Sequence, residues 1–104
     1  MDRHIMTQNY DYEWQLFVLL LKYIAEEKGI THQQIADNTG LIRSNITRFF
    51  FLKYKPGLDI FLKIAKAVGV NFFFEDRDSD TDLNKIFERA MEQLGRRPDN
   101  LPKN

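Results

Sequence analysis

The chain has 104 residues, 43% of them hydrophobic, with 15 basic and 15 acidic side chains in balance and no cysteine. The length suits a single domain over 1–104, and nine Phe, four Tyr and one Trp supply the apolar bulk for a modest packed core. The lack of cysteine excludes disulfides, Cys-based zinc sites and thiol nucleophiles, and it fits a reducing, cytoplasmic setting.

Residues 1–10 show no periodicity and are expected to form an N-terminal arm. From Trp14, apolar residues recur at Phe17, Val18, Leu21, Ile24 and Ala25, which predicts a helix ended by Gly29. Leu16, Leu19, Leu20 and Tyr23 add a second stripe, so this helix needs cover from two sides. Its apolar run Leu16 to Leu21 is too short to span a bilayer, and Asp11 and Glu13 do not suit a signal peptide. Thr31 with Gln34 three residues on has the capping-box pattern and predicts a second helix to about Thr39. Gly40 supplies a turn, and a third helix with Ile46, Phe49 and Phe50 on one side stops before Pro56. Leu58, Phe61, Leu62, Ala65 and Val68, closed by Gly69, mark a fourth helix whose buried face Ile60 and Ile64 broaden.

The core is thus expected over 11–69. Residues 70–95 follow as a strand-like segment near 70–75, with its Phe72-Phe73-Phe74 run, and a further helix. That last helix carries Leu83, Ile86, Phe87, Ala90, Met91 and Leu94 between the Ser79–Asp82 cap region and Gly95. Residues 96–104, with Pro98 and Pro102, are expected to be an extended tail.

Zero net charge argues against a nucleic-acid partner only until the charges are placed along the chain. Residues 1–41 hold three basic and six acidic side chains, 42–66 hold six basic and one acidic, and 67–104 hold six basic and eight acidic. The positive charge is therefore concentrated on the third helix and its surroundings.

Two helices meeting at a sharp angle need a small residue at the closest backbone approach, a residue able to turn, and a branched apolar lock on the second helix. Ala36, Gly40 and Ile46 stand at those three places, with Ile35, Leu41 and Phe49 as apolar neighbours. The stretch Thr31-His32-Gln33-Gln34-Ile35-Ala36-Asp37-Asn38-Thr39-Gly40-Leu41, followed by Arg43-Ser44-Asn45-Ile46-Thr47-Arg48-Phe49, resembles the lambda-repressor-like helix-turn-helix family, also called the XRE family. Leu58 to Val70 is similar to that family's fourth helix, and the resemblance covers about residues 12–70. It implies a mainly all-α helix-turn-helix bundle that binds double-stranded DNA as a transcriptional regulator. The family holds repressors, activators and antitoxins, so an antitoxin-type module with a toxin partner is the alternative.

A helical wheel places Arg43, Ser44, Thr47, Arg48 and Phe51 on one arc opposite Ile46, Phe49 and Phe50. Arg is able to donate two hydrogen bonds to guanine, while Ser and Thr reach base edges or a thymine methyl. The resemblance implies base contacts by Arg43, Ser44 and Arg48, with Thr47 nearby. Backbone contacts are expected from Thr31, His32 and Gln33 at the second helix's amide-rich start, from Asn45, and from Lys53, Tyr54 and Lys55 beyond the third. Two departures from the family stand out. Ile42 lacks a capping side chain, which leaves Ser44 as the cap of a later-starting helix, and Phe51 faces the polar arc, where it meets either sugars or another chain.

Reading DNA in two half-sites calls for a homodimer. Phe72, Phe73 and Phe74, together with Leu83, Phe87, Met91 and Leu94, are the expected dimerisation surface. The acids Glu75, Asp76, Asp78, Asp80 and Asp82 lack the spacing of a calcium loop and suit a solvated turn with a helix cap. His4 and His32 lie far apart, and no catalytic motif accompanies them, so neither an enzyme, a metal nor a cofactor is expected.

Overall fold

A computed structural model describes residues 12–78 and 80–95, so the expected arm over 1–10, the tail over 96–104 and Ser79 lie outside the described residues. Among the described residues five helices follow one another: α1 (Tyr12–Lys28), α2 (His32–Thr39), α3 (Arg43–Phe50), α4 (Leu58–Val68) and α5 (Leu83–Gln93). The chain divides into two units, one ending at Asn71 and the other starting at Phe72.

In the first unit several helix boundaries have a local cause. The Thr31 hydroxyl accepts from the Gln34 amide at 3.1 Å while the Gln34 side chain accepts from the Thr31 amide at 2.8 Å, which completes the capping box at the start of α2. Gly40, at φ +78°, closes α2 with its amide donating to Ala36, and Gly69, at φ +89°, closes α4 in the same left-handed conformation. Lys28 Nζ donates to the carbonyls of Val68 at 2.9 Å and Gly69 at 3.2 Å, so the end of α1 is tied to the end of α4.

Packing then brings the four helices around one core. Val18, Leu21 and Ala25 from α1 meet Ile35 and Ala36 from α2, Ile46, Phe49 and Phe50 from α3, and Ile64, Ala65 and Val68 from α4. Phe49 packs edge-on against Phe50, with centroids 5.0 Å apart, and faces Phe61 at 6.3 Å. Each large side chain so buried contributes about 1.5–3 kcal/mol of transfer free energy, which exceeds anything the short helices gain from intrinsic propensity.

Several expected core positions lie at the surface instead. Phe17 and Leu20 of α1 are about half exposed, and Leu58 and Leu62 of α4 are also exposed. α4 meets α1 and α2 along the line Ile64, Ala65 and Val68, which turns its first residue, Leu58, out of the core. The second stripe on α1 is partly open to solvent, with Leu16, Leu20 and Tyr23 exposed and Leu19 half-buried.

Residues 71–76 carry no regular secondary structure, so the segment near 70–75 is an irregular connection and not a strand. The Asp82 carboxylate accepts from the Lys85 amide at 3.2 Å and starts α5. Of the apolar stripe on α5 only Met91 is buried, while Leu83, Ile86, Phe87 and Leu94 are exposed. Among the described residues no helix is long and apolar enough to cross a membrane.

Candidate nucleic-acid interface

α2 and α3 are joined by Gly40, Leu41 and Ile42, and they pack through Ala36 at the close approach and Ile46 at the lock, both buried. The pairing fixes which side of α3 is left to solvent. Ile46, Phe49 and Phe50 point inward, and Arg43, Ser44, Asn45 and Arg48 are exposed.

α3 begins at Arg43 with Ile42 as its cap residue and no capping side-chain hydrogen bond. Ser44 therefore lies inside the first turn and does not cap a later helix. At the solvent-facing start of α3 the Asn45 and Ile46 amides donate to the Ile42 carbonyl at 2.9 and 3.2 Å. Arg43 shares this exposed end with Ser44 and Asn45, whereas Arg48 lies one turn further on. The Arg48 guanidinium carbon is 6.0 Å from the Tyr54 ring centroid, the outer limit of a cation–π contact. Asn45, Arg48 and Tyr54 also edge an open crevice of about 370 Å³ floored by Leu41, Ile46, Ile60 and Ile64.

At the start of α2, Thr31 and Gln33 are exposed and His32 is half-buried. The Gln33 side chain donates to Asp37 at 2.9 Å, so a contact elsewhere requires its release. Thr31 is held by the capping box, and its hydroxyl already accepts a hydrogen bond. His32 is stacked on Phe50, with centroids 5.2 Å apart, and its Nδ1 lies 2.8 Å from the Thr47 hydroxyl oxygen. Burial first, then the charges of Arg43 and Lys22, hold its pKa below the ordinary value of 6.5, against a smaller opposing pull from Glu26.

Beyond α3 the chain reverses at Leu52, whose φ of +60° is unusual for a side chain with Cβ. Its amide donates to Phe49 and that of Lys53 to Arg48, so the reversal is hydrogen-bonded. Lys53 and Lys55 emerge exposed and Tyr54 half-buried, on the chain that follows α3. Phe51 is 55% exposed and carries the ammonium of Lys22 over its ring, 4.8 Å from the centroid.

Lys22 is a member of this surface that sequence reasoning missed. It is a cation within the apolar stretch of α1, 29 positions before Phe51, and only the packing of α1 on α3 brings the two together. The residues expected to dimerise belong to the second unit: Phe72, Phe73 and Phe74 are exposed in the irregular connection, the latter two at 92% and 90%, Leu83, Phe87 and Met91 sit on α5, and Leu94 is its C-terminal cap residue. Two members of the acidic run are engaged in local structure. Asp82 caps α5, and the Asp76 carboxylate accepts from Asp78 and is held below the usual carboxylate range chiefly by a hydrogen bond from Thr81.

A family model described as helix-turn-helix matches residues 21–74, which spans the end of α1, all of α2 to α4 and the exposed Phe run. No curated protein and no solved structure matches the chain.

Proposed function

This chain belongs to the helix-turn-helix family of lambda-repressor-like, DNA-binding transcription regulators, and from that membership we propose that it reads double-stranded DNA sequence as a repressor-like homodimer in the cytoplasm. The observation that supports this most directly is the exposed arc of α3. Arg43, Ser44 and Arg48 project from a helix whose opposite face is locked into the core, which is how a recognition helix enters a major groove.

In this reading Arg43, Ser44, Thr47 and Arg48 meet base edges. Thr31, His32, Gln33 and Asn45 lie against phosphates on one side, and Lys53, Tyr54 and Lys55 hold the backbone on the other. Such phosphate contacts supply affinity and register, and the α3 side chains supply discrimination. The assignment requires no catalytic group.

A second reading, in which the part after Asn71 docks a toxin while α2 and α3 bind the operon's own promoter, is favoured by one feature. Phe73 and Phe74 are almost wholly exposed, and large aromatic side chains in that state mark a contact surface. A genome-wide binding experiment on the full chain tests the main proposal. Recovered fragments are expected to share a motif with two related half-sites about one helical turn apart. Fragments with no shared motif would overturn sequence-specific reading.

A further inference from the structure

His32 makes two contacts that fix its ring. Phe50, only 1% exposed, is a fixed platform beneath the imidazole, with an interplanar angle of 27°, and the Thr47 hydroxyl oxygen stands 2.8 Å from Nδ1. The charged groups that act on the ring are Lys22 and Glu26 from α1 and Arg43 from α3. Thr47 lies on α3 one turn beyond Arg43 and one residue before Arg48, and its Cβ branch restricts where the hydroxyl points. A hydroxyl has one hydrogen to donate, so what Thr47 offers to an outside partner depends on what it gives to Nδ1.

We propose that His32 is a positioning residue that sets the hydrogen-bonding character of Thr47 toward DNA, and thereby makes one position of the recognised sequence depend on pH. With the ring neutral and its proton on Nε2, the Thr47 hydroxyl donates to Nδ1. The groove then meets only an oxygen acceptor, which suits the amino groups of adenine or cytosine. With the ring doubly protonated, Nδ1–H donates to the Thr47 oxygen and the hydroxyl hydrogen is released. It then donates to guanine O6 or N7, or thymine O4. The proton comes from solvent, and a phosphate beside the start of α2 favours its uptake by Coulomb attraction.

This inference rests on the DNA-binding reading above and deepens it. Burial and two neighbouring cations disfavour the protonated ring in the free protein. A phosphate beside the ring in the complex opposes these effects and brings uptake toward the range where histidine ordinarily titrates.

The test is selection of duplexes from a randomised pool by the full chain at about pH 5 and about pH 8, on either side of ordinary histidine titration. Wild-type protein is expected to exchange its preference at one base position, by about fivefold or more in relative affinity, the lower end of what one good base contact discriminates. His32→Asn is expected to lose the exchange, and Thr47→Val, which keeps the shape without the hydroxyl, to lose discrimination at that position at both pH values. Nitrogen chemical shifts of the free protein give a readout independent of DNA: the neutral ring is expected to carry its proton on Nε2. A neutral ring protonated on Nδ1, or a pH exchange that survives either substitution, overturns the inference. Sequence-specific binding with a pH-independent preference overturns it while leaving the DNA reading intact, whereas equal retention of all duplexes at both pH values overturns both.

Discussion

Lys28 Nζ donates to the Val68 carbonyl at 2.9 Å across 40 positions of sequence, and so neutralises the exposed carbonyl end of α4 with a cation from the end of α1. The same ammonium lies 2.9 Å from where a Cβ on Gly69 would stand. A charge-assisted bond to a helix C-terminus is worth on the order of 1 kcal/mol when partly exposed. Lys28→Met should lower unfolding free energy by about that amount in a urea titration, with DNA affinity unchanged at matched folded protein. An unchanged midpoint would show that the bond contributes nothing net.

Gly40 carries a different load, because it terminates α2 at φ +78° and no atom lies within 4 Å of a Cβ built on it. The cost of Gly40→Ala is therefore backbone strain alone, on the order of 1 kcal/mol. Strain of this kind is relieved by asparagine more than by alanine, so thermal melts should rank Gly40 above Asn above Ala at this position. Alanine matching glycine would remove the argument that φ dictates the residue.

His32 should make folding stability depend on pH. Its folded-state pKa lies below 6.5, chiefly through burial and then through Arg43 and Lys22. Above the ordinary value the ring is neutral in both folded and unfolded chains, and its contribution is fully present. As pH falls below 6.5 the unfolded chain takes up the proton first, so stability is lost until the folded ring titrates as well. Denaturant midpoints measured from neutral pH downward should fall across that window, and His32→Asn should flatten the fall.

Much of the first unit was legible from local signals, and the reasons are local too. Thr31 with Gln34, Gly40 and Gly69 each act within four residues, so pattern alone identifies the cap, the turn and the stop. The inward set of Ile46, Phe49 and Phe50 follows from helical spacing in the same way. Spacing fails where two faces of one helix are equally apolar. On α1 it does not say that Val18 is buried and Phe17 exposed, and on α4 it does not exclude Leu58, because only the crossing of the helices decides. The pairing of His32 with Thr47 and of Lys22 with Phe51 is likewise tertiary, and no periodicity in the chain encodes it. The run Phe72-Phe73-Phe74 has strand propensity but forms no strand, since a strand needs a neighbour whose backbone groups pair with its own.

Base reading and backbone binding should separate under mutation. Arg43→Ala and Arg48→Ala remove exposed guanidinium groups without touching the core, so each should weaken specific binding by about 1–3 kcal/mol at constant fold. Lys53→Ala and Lys55→Ala should weaken all duplexes alike and reduce the salt slope by about one each, as expected when a phosphate contact is removed. Titrations against specific and random duplexes at several salt concentrations separate the two classes. Unchanged affinity in both arginine variants would sink the base-contact assignment.

Assembly provides the last test. Leu16, Phe17, Leu20 and Tyr23 are exposed along α1, Phe17 resting in part on Phe61, while Leu83, Ile86 and Phe87 of α5 and its cap residue Leu94 are exposed as well. Exposed faces of this kind are covered in oligomers, and a two-fold related pair brings two recognition helices to half-sites one turn of DNA apart. We therefore expect the full chain to be a dimer at micromolar concentration, with α5 and the Phe72 to Phe74 segment at the interface. Phe87→Glu places a charge in the middle of the α5 stripe, where desolvating it costs several kcal/mol if the face is buried against a partner. It should convert the dimer to monomer in light scattering while circular dichroism shows the helices retained, and it should weaken binding to a two-half-site duplex far more than to a single half-site. A wild-type chain that scatters as a monomer, both free and on its duplex, would exclude the dimer and leave these faces to a different protein.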